Sequence, residues 1–294
     1  MKKKPRIMKR ILSIALASSL VATSVQIAAI PSHVVLAAPG NITTGVPLGD
    51  TNVKDQNVLT FYKIIANAVA AKNSEVLDYI GSHTAQEVLN LYKEDDKLTS
   101  PAMGTDLIRY DGKIDFGNLK VSSMEGIGWA QNAREMDLSG ITLATGNDIT
   151  SIPDKEFQNC SGLQKIILPQ TVTTIGNNAF EGCKNLVTLG IGTVADGVVD
   201  LSKVNTIGSN AFSACETISD LELGKYDTRS ELTIKAQAFL GCIGLEKIEI
   251  PVKNAALIGV SAFENCSGLQ EIGLQKDLQY IGNAVFRGTG ASTS

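Results

Sequence analysis

The chain has 294 residues, 44% hydrophobic and only 5% aromatic, with 26 basic and 30 acidic side chains. That length suits one or two domains, and the acidic balance argues against nucleic acid or an anionic lipid surface, since both need a basic footprint. Two histidines and five cysteines without a CxxC pair leave little material for a metal centre.

The chain opens on Lys2-Lys3-Lys4-Pro5-Arg6 and Lys9-Arg10, followed by an apolar run from Ile11 to Ile30. A charged start, an apolar centre and the small-residue site Val35-Leu36-Ala37 before Ala38 make residues 1–37 a secretory signal peptide. Serines and threonines dilute the run, which favours cleavage over a retained membrane anchor. Cleavage removes six basic and no acidic side chains, leaving 20 basic against 30 acidic. The expectation is an extracellular protein, secreted or held at the cell surface, with no membrane insertion after cleavage.

Residues 38–56, with Pro39-Gly40 and Pro47-Leu-Gly49, read as a flexible linker. Residues 57–110 read as a helical N-terminal cap region. Leu59, Tyr62, Ile65, Ala66 and Val69 recur at three- and four-residue steps, as do Val76, Leu77 and Ile80, then Val88, Leu89 and Tyr92. Three short helices fit, joined at Asn73-Ser74 and Gly81-Ser82, and Ser82 or Thr84, with Glu87 three residues after Thr84, makes a capping-box start for the third. Glu94-Asp-Asp96 reads as a solvated helix end, because no glycine-turned ligand loop follows it.

Residues 111–150 look like a degenerate leading repeat. Leu119-x-Val121 is a candidate strand, and Met136-x-Leu138 holds the strand place that Ile166-x-Leu168 fills 30 residues later. Gly126-Ile127-Gly-Trp129-Ala130 stands where the helix segment would be, and Trp129, the only tryptophan, is expected to pack at the junction.

From residue 151 to 294 a pattern repeats about six times, the last copy incomplete. Its marker is phenylalanine at 157, 180, 212, 239, 263 and 286, spaced by 23, 32, 27, 24 and 23 residues. A period in the twenties marks a solenoid. Five residues before each phenylalanine stands isoleucine (Ile152, Ile175, Ile207, Ile234, Ile258 and Ile281). Three residues after five of them stands cysteine (Cys160, Cys183, Cys215, Cys242 and Cys266). Then come alternating runs such as Leu189-x-Ile191 and Ile248-x-Ile250, which read as half-buried strands. The Ala-Phe-x-x-Cys segment suits a short helical turn. Each copy is thus one strand plus one short helix or turn, and stacking makes ladders of Ile, Phe, Cys and Leu. The insertions Thr193–Val204 and Lys225–Glu231 are expected to bulge as loops. The equal place of every cysteine points to a ladder of small buried hydrophobes, although adjacent rungs lie close enough for a bridge.

The pattern I-x-x-x-A-F-x-x-C-x-x-L-x-x-I-x-L-P, seen from Ile175 to Leu189 and from Ile258 to Leu274, resembles the BspA-type leucine-rich repeat. That resemblance implies an α/β solenoid and a bacterial secreted or surface protein, a scaffold rather than a fixed activity. It also resembles bacterial surface proteins in which a helical region precedes the repeats.

Little in the residues suggests catalysis. After cleavage one histidine remains, His83, and every cysteine is a core rung, so neither a Ser-His-Asp nor a Cys-His arrangement is at hand. No cofactor is expected. What the repeat leaves free is the exposed strand face, in two rows: Lys165, Thr188, Asp220, Lys247 and Glu271; then Ile167, Gly190, Glu222, Glu249 and Gly273. Asp220, Glu222 and Glu249 make an acidic patch flanked by Lys165 and Lys247. This strip suits contact with a protein, such as a host matrix or other cell-surface protein, or with a glycan, though no exposed aromatic row favours sugar stacking. The expected function is binding or adhesion; the alternative is a targeting or spacer region of a larger secreted enzyme.

Overall fold

The structure, a computed structural model, describes residues 53–92, 104–192, 194–224, 232–250, 256–274 and 278–291. Residues 1–37, expected to be a signal peptide, residues 38–52 of the expected linker, Glu94-Asp-Asp96 and the insertion Lys225–Glu231 lie outside the described residues.

Helices α1 (Gln56–Ala70), α2 (Ser74–Ser82) and α3 (Ala85–Tyr92) come first, followed by a short α4 (Gly104–Ile108). One oxygen of Asp55 caps α1, accepting from the backbone N–H groups of Asn57 and Val58, both at 2.9 Å. Its other oxygen accepts from the backbone N–H and hydroxyl of Ser122. One carboxylate therefore starts the helix and ties it to the segment leading into the repeats. Val53 is fully buried, Asp55 caps α1 and Gln56 begins it, so residues 53–56, expected in the linker, pack with the helices. The capping box of α3 is reciprocal: Glu87 accepts the Thr84 N–H at 2.9 Å, and Thr84 Oγ1 accepts the Glu87 N–H at 3.3 Å.

Strands then follow: β1 (Lys113–Asp115), β2 (Lys120–Val121), β3 (Glu135–Asp137), β4 (Thr142–Leu143), β5 (Ser151–Ile152), β6 (Lys165–Leu168), β7 (Thr174–Ile175) and β8 (Thr188–Ile191). The series continues with β9 (Val198–Asp200), β10 (Thr206–Ile207), β11 (Asp220–Glu222), β12 (Leu232–Ile234), β13 (Lys247–Ile250), β14 (Ala256–Ile258), β15 (Glu271–Leu274) and β16 (Tyr280–Ile281). Eight form one parallel sheet in the order β1-β3-β6-β8-β9-β11-β13-β15. Six form a second, β5-β7-β10-β12-β14-β16, while β2 and β4 pair by themselves. Each of the first five repeat copies therefore contributes a strand to both sheets, not one strand, and the sixth contributes β16 among the described residues. The second sheet is built on the isoleucines that precede the phenylalanines, aligned in register from Ile152 through Ile175, Ile207, Ile234 and Ile258 to Ile281. Its strands stop at once because glycine follows in most copies. A Cβ added at Gly208 would lie 2.5 Å from the backbone carbonyl carbon of Gly176, so the chains approach too closely there for any side chain.

The phenylalanine segment is a turn and not a helix. Residues two before and two after each phenylalanine have left-handed backbone, as Asn178 (φ 57) and Gly182 (φ 73) do around Phe180. A left-handed residue on either side stops helical propagation. The phenylalanine N–H points instead to the following copy, from Phe180 to the Ala211 carbonyl and from Phe212 to the Ala238 carbonyl, both at 2.7 Å. Turns thus stack by backbone hydrogen bonds as strands do, which holds the rings in a pile. Successive centroids from Phe157 to Phe263 lie 5.0–5.3 Å apart with planes within 10°.

The cysteines form the second ladder. All five are free and buried. Each thiol from Cys183 onward donates to the phenylalanine carbonyl of the preceding copy at 3.1–3.2 Å, as Cys183 does to Phe157 and Cys242 to Phe212. Cys160 donates to the Gly128 carbonyl at 3.2 Å. The 3-10 turn Ile127–Trp129 of the leading repeat therefore occupies the place of the phenylalanine turn. In the sixth copy Thr289 holds the cysteine place, and its hydroxyl donates to the Phe286 carbonyl of its own copy at 3.0 Å.

The insertion Thr193–Val204 does not simply bulge. Its second half enters the core as β9, with Val199, Leu201 and Val204 fully buried. Its described first half, residues 194–197, folds back across the sheet face as a strap. A Cβ at Gly190 would come within 2.2 Å of the Val194 Cβ, so the strap is packed directly on that glycine. The Gly197 N–H donates to Thr188 Oγ1 at 2.8 Å, and Lys165 pairs with Asp196.

Candidate functional site

Sheet pairing sets the rows of the exposed face. The first runs Lys113, Glu135, Lys165 and Thr188, then Val198 on β9, and beyond it Asp220, Lys247 and Glu271. The second includes Asp115, Asp137, Ile167 and Gly190, then Asp200 beside Glu222, and Glu249 beside Gly273. Sequence reading placed the repeat residues in these rows but missed Val198 and Asp200, which β9 inserts between Thr188 and Asp220. The alternation Val199-x-Leu201 was the available signal. It also passed over Lys113, Asp115, Glu135 and Asp137, carried by the leading repeat.

One expected site residue is corrected outright. Thr188 is 2% exposed, because the strap covers it and takes its hydroxyl as an acceptor. Gly190 is buried under Val194 for the same reason. Lys165 is half-buried, and its ammonium is spent on Asp196, which raises its pKa. The face is therefore interrupted at β8, and the open stretch begins beyond the strap.

There, Asp220, Glu222, Lys247, Glu249 and Glu271 are all exposed. Lys247 stands between Glu271 at 3.0 Å and Glu249 at 3.4 Å, and the pair raises its pKa, Glu271 first. Asp220, Glu222 and Glu246 have no cation within ion-pair distance among the described residues. Strands β11 and β13 share a single register pair, Asp220 with Lys247, whereas β13 and β15 share four. The sheet opens where that pairing stops. A crevice of about 450 Å³ lies there, lined by residues 219–224 of β11 and its flanks and by Glu246, Lys247 and Glu249. Among the described residues no cluster of three or more acidic, histidine or cysteine side chains could hold a metal ion. His83 stacks on Tyr79 at the C-terminal end of α2, and the next residue, Thr84, bridges Asp115 on β1, at the opposite end of the sheet order from β15.

Two stacked parallel sheets, in-register ladders and a capped first rung define a solenoid repeat protein of the leucine-rich type. Residues 134–225 and 197–294 match the BspA type leucine rich repeat region in six copies, more than half of the chain, and the chain belongs to that family. Among solved structures, a leucine-rich repeat protein from Bacteroides ovatus is 28% identical over 52% of this chain and 37% of its own, with a TM-score of 0.42. This chain thus spans little more than a third of that relative's length. A leucine-rich repeat protein of T. pallidum is 22% identical over 53% of this chain and 76% of its own, with a TM-score of 0.35. A leucine rich cell surface protein from Faecalibacterium prausnitzii is 20% identical over 60% of this chain and 62% of its own, with a TM-score of 0.25. Among curated proteins no match is found. No helix among the described residues is long and apolar enough to cross a membrane.

Proposed function

We propose that the protein is exported and, outside the cell or on its surface, binds another protein through the open stretch of the eight-stranded sheet beyond the strap. The observation that carries this reading is the crevice where β11 and β13 part, the place where the face turns from a flat sheet into a concave site. Carboxylates without a cation partner at its rim leave charge to be met from outside, and complementary charge sets partner choice and association rate. The named face rows carry no aromatic side chain, which favours a protein partner over a stacked sugar. The signal peptide supports export, and the repeat family supports a binding scaffold over an enzyme. The test is binding of the purified chain, residues 38–294, to a panel of extracellular-matrix and bacterial surface proteins, with a glycan array alongside. Saturable binding to a panel protein is expected. Binding to nothing, or to glycans alone, would count against the reading.

A further inference from the structure

The junction between the helical cap and the first full repeat copy holds a buried carboxyl group that the binding face does not use. Glu156, one residue before Phe157, is 3% exposed. Its Oε1 accepts the Gly128 N–H at 2.9 Å and its Oε2 the Gly126 N–H at 3.3 Å. Gly126 has left-handed backbone (φ 95), and the Gly126 and Gly128 N–H groups both turn to the Glu156 carboxyl. The same 3-10 turn is gripped from two other directions. The Tyr62 hydroxyl of α1 donates to the Ile127 carbonyl, and the Cys160 thiol donates to the Gly128 carbonyl. Three side chains, one from the cap and two from the first copy, thus meet on one turn, and only Glu156 can change charge near neutral pH.

We propose that this junction is a proton-controlled latch, in which the Glu156 carboxyl sets by its protonation how tightly the helical cap and leading turn dock on the solenoid. The titratable groups facing it are Glu125 on the leading turn, Tyr62 on α1 and Cys160 in its own turn. Burial pushes both Tyr62 and Cys160 well up, so they stay neutral. Among the described residues no cation lies within ion-pair distance of Glu156. Burial raises its pKa to about 8, against the backbone hydrogen bonds that pull it down, and Glu125 adds repulsion. Undocked and solvated, the same carboxyl ionises near 4.3. Below that range both forms are protonated and docking has full strength. Between it and about pH 8 only the undocked form has lost its proton, so docking weakens about tenfold per pH unit and then levels off. The latch is tight in acid and loose in mild alkali.

Trp129, the only tryptophan, lies in the latched turn and is 5% exposed, so it reports the junction alone. The experiment follows its emission, and the hydrogen exchange of the Gly126 and Gly128 amides, from pH 5 to 9 in wild type, Glu156→Gln and His83→Asn. Wild type and the His83 variant are expected to show an emission change centred near pH 8. Their amide protection, corrected for intrinsic exchange, should fall about tenfold per pH unit below that point. Glu156→Gln should be flat in both readouts. A flat wild-type profile, or an equal slope in Glu156→Gln, overturns the proposal. Should the glutamine variant not fold, the wild-type profile alone decides.

Discussion

Replacing Phe212 by alanine tests the ring ladder where it is most enclosed. Phe212 is fully buried, with Phe180 at 5.2 Å and Phe239 at 5.3 Å and ring planes within 7° and 4°. Truncating a buried phenylalanine costs about 3–5 kcal/mol. The upper half of that range applies here, because two stacked contacts of roughly 0.5–1.5 kcal/mol each are lost with it. Phe286 gives the internal control. It is only partly buried, and its single stacked neighbour, Phe263, lies at 5.8 Å and 19°, so its truncation should cost about 1–2 kcal/mol. Urea unfolding followed by circular dichroism measures both. With a slope of roughly 2 kcal/mol per molar, the Phe212 variant should lose about 2 M in midpoint and the Phe286 variant less than 1 M. A Phe212 cost below about 1 kcal/mol, or equal costs for the two variants, would refute the ladder as the core of the repeat.

Other predictions come from the turns and the strap. The five thiols should resist an aromatic disulfide reagent in the native protein and react in denaturant; a mass-mapped disulfide would contradict the thiol ladder. Cys266, the last rung of the thiol ladder, should label first as the stack opens. Gly208→Ala should cost about 1–3 kcal/mol through its clash with the Gly176 backbone, read as a lowered melting temperature. Ala214 sits at φ 57 in the place that Gly182 and Gly241 hold in neighbouring copies. Ala214→Gly should therefore stabilise, relieving about 1 kcal/mol of strain less the roughly 0.5 kcal/mol that glycine's unfolded freedom costs. Thr188→Val removes the acceptor for the Gly197 N–H, so exchange at that amide should accelerate while the global melting temperature stays within a few degrees.

Much of this fold was legible because a solenoid repeats its signals. Phenylalanine, cysteine and isoleucine recur in register, and register alone places Cys183 in the core instead of in a redox or metal site. The second sheet was hidden, since two-residue strands such as Thr174-Ile175 are too short to show alternation. The Ala-Phe-x-x-Cys segment has helical spacing, yet its outcome is set by the left-handed residues at either side and by hydrogen bonds to the next copy, which are not local. The burial of Thr188 has the same origin. Its own strand reads as exposed, and only the packing of Val194 and Gly197 against it, from beyond the strand, covers it. Glu156 carries no sequence signal at all, because a single glutamate in a turn looks solvated until the leading turn is folded around it.

The claim that the open sheet face is the binding surface is tested most directly by reversing its charge. Glu222 and Glu249 are exposed on the two strands that frame the crevice, so Glu222→Lys/Glu249→Lys should leave the core intact. Affinity of this double variant is measured across the whole protein panel beside wild type and Lys184→Glu, a change at an exposed ion pair with Glu216 outside the face rows. The expected result is that a protein bound by wild type and by Lys184→Glu binds the double variant at least about tenfold more weakly. Undiminished binding by the double variant, or equal losses in both variants, would contradict the account.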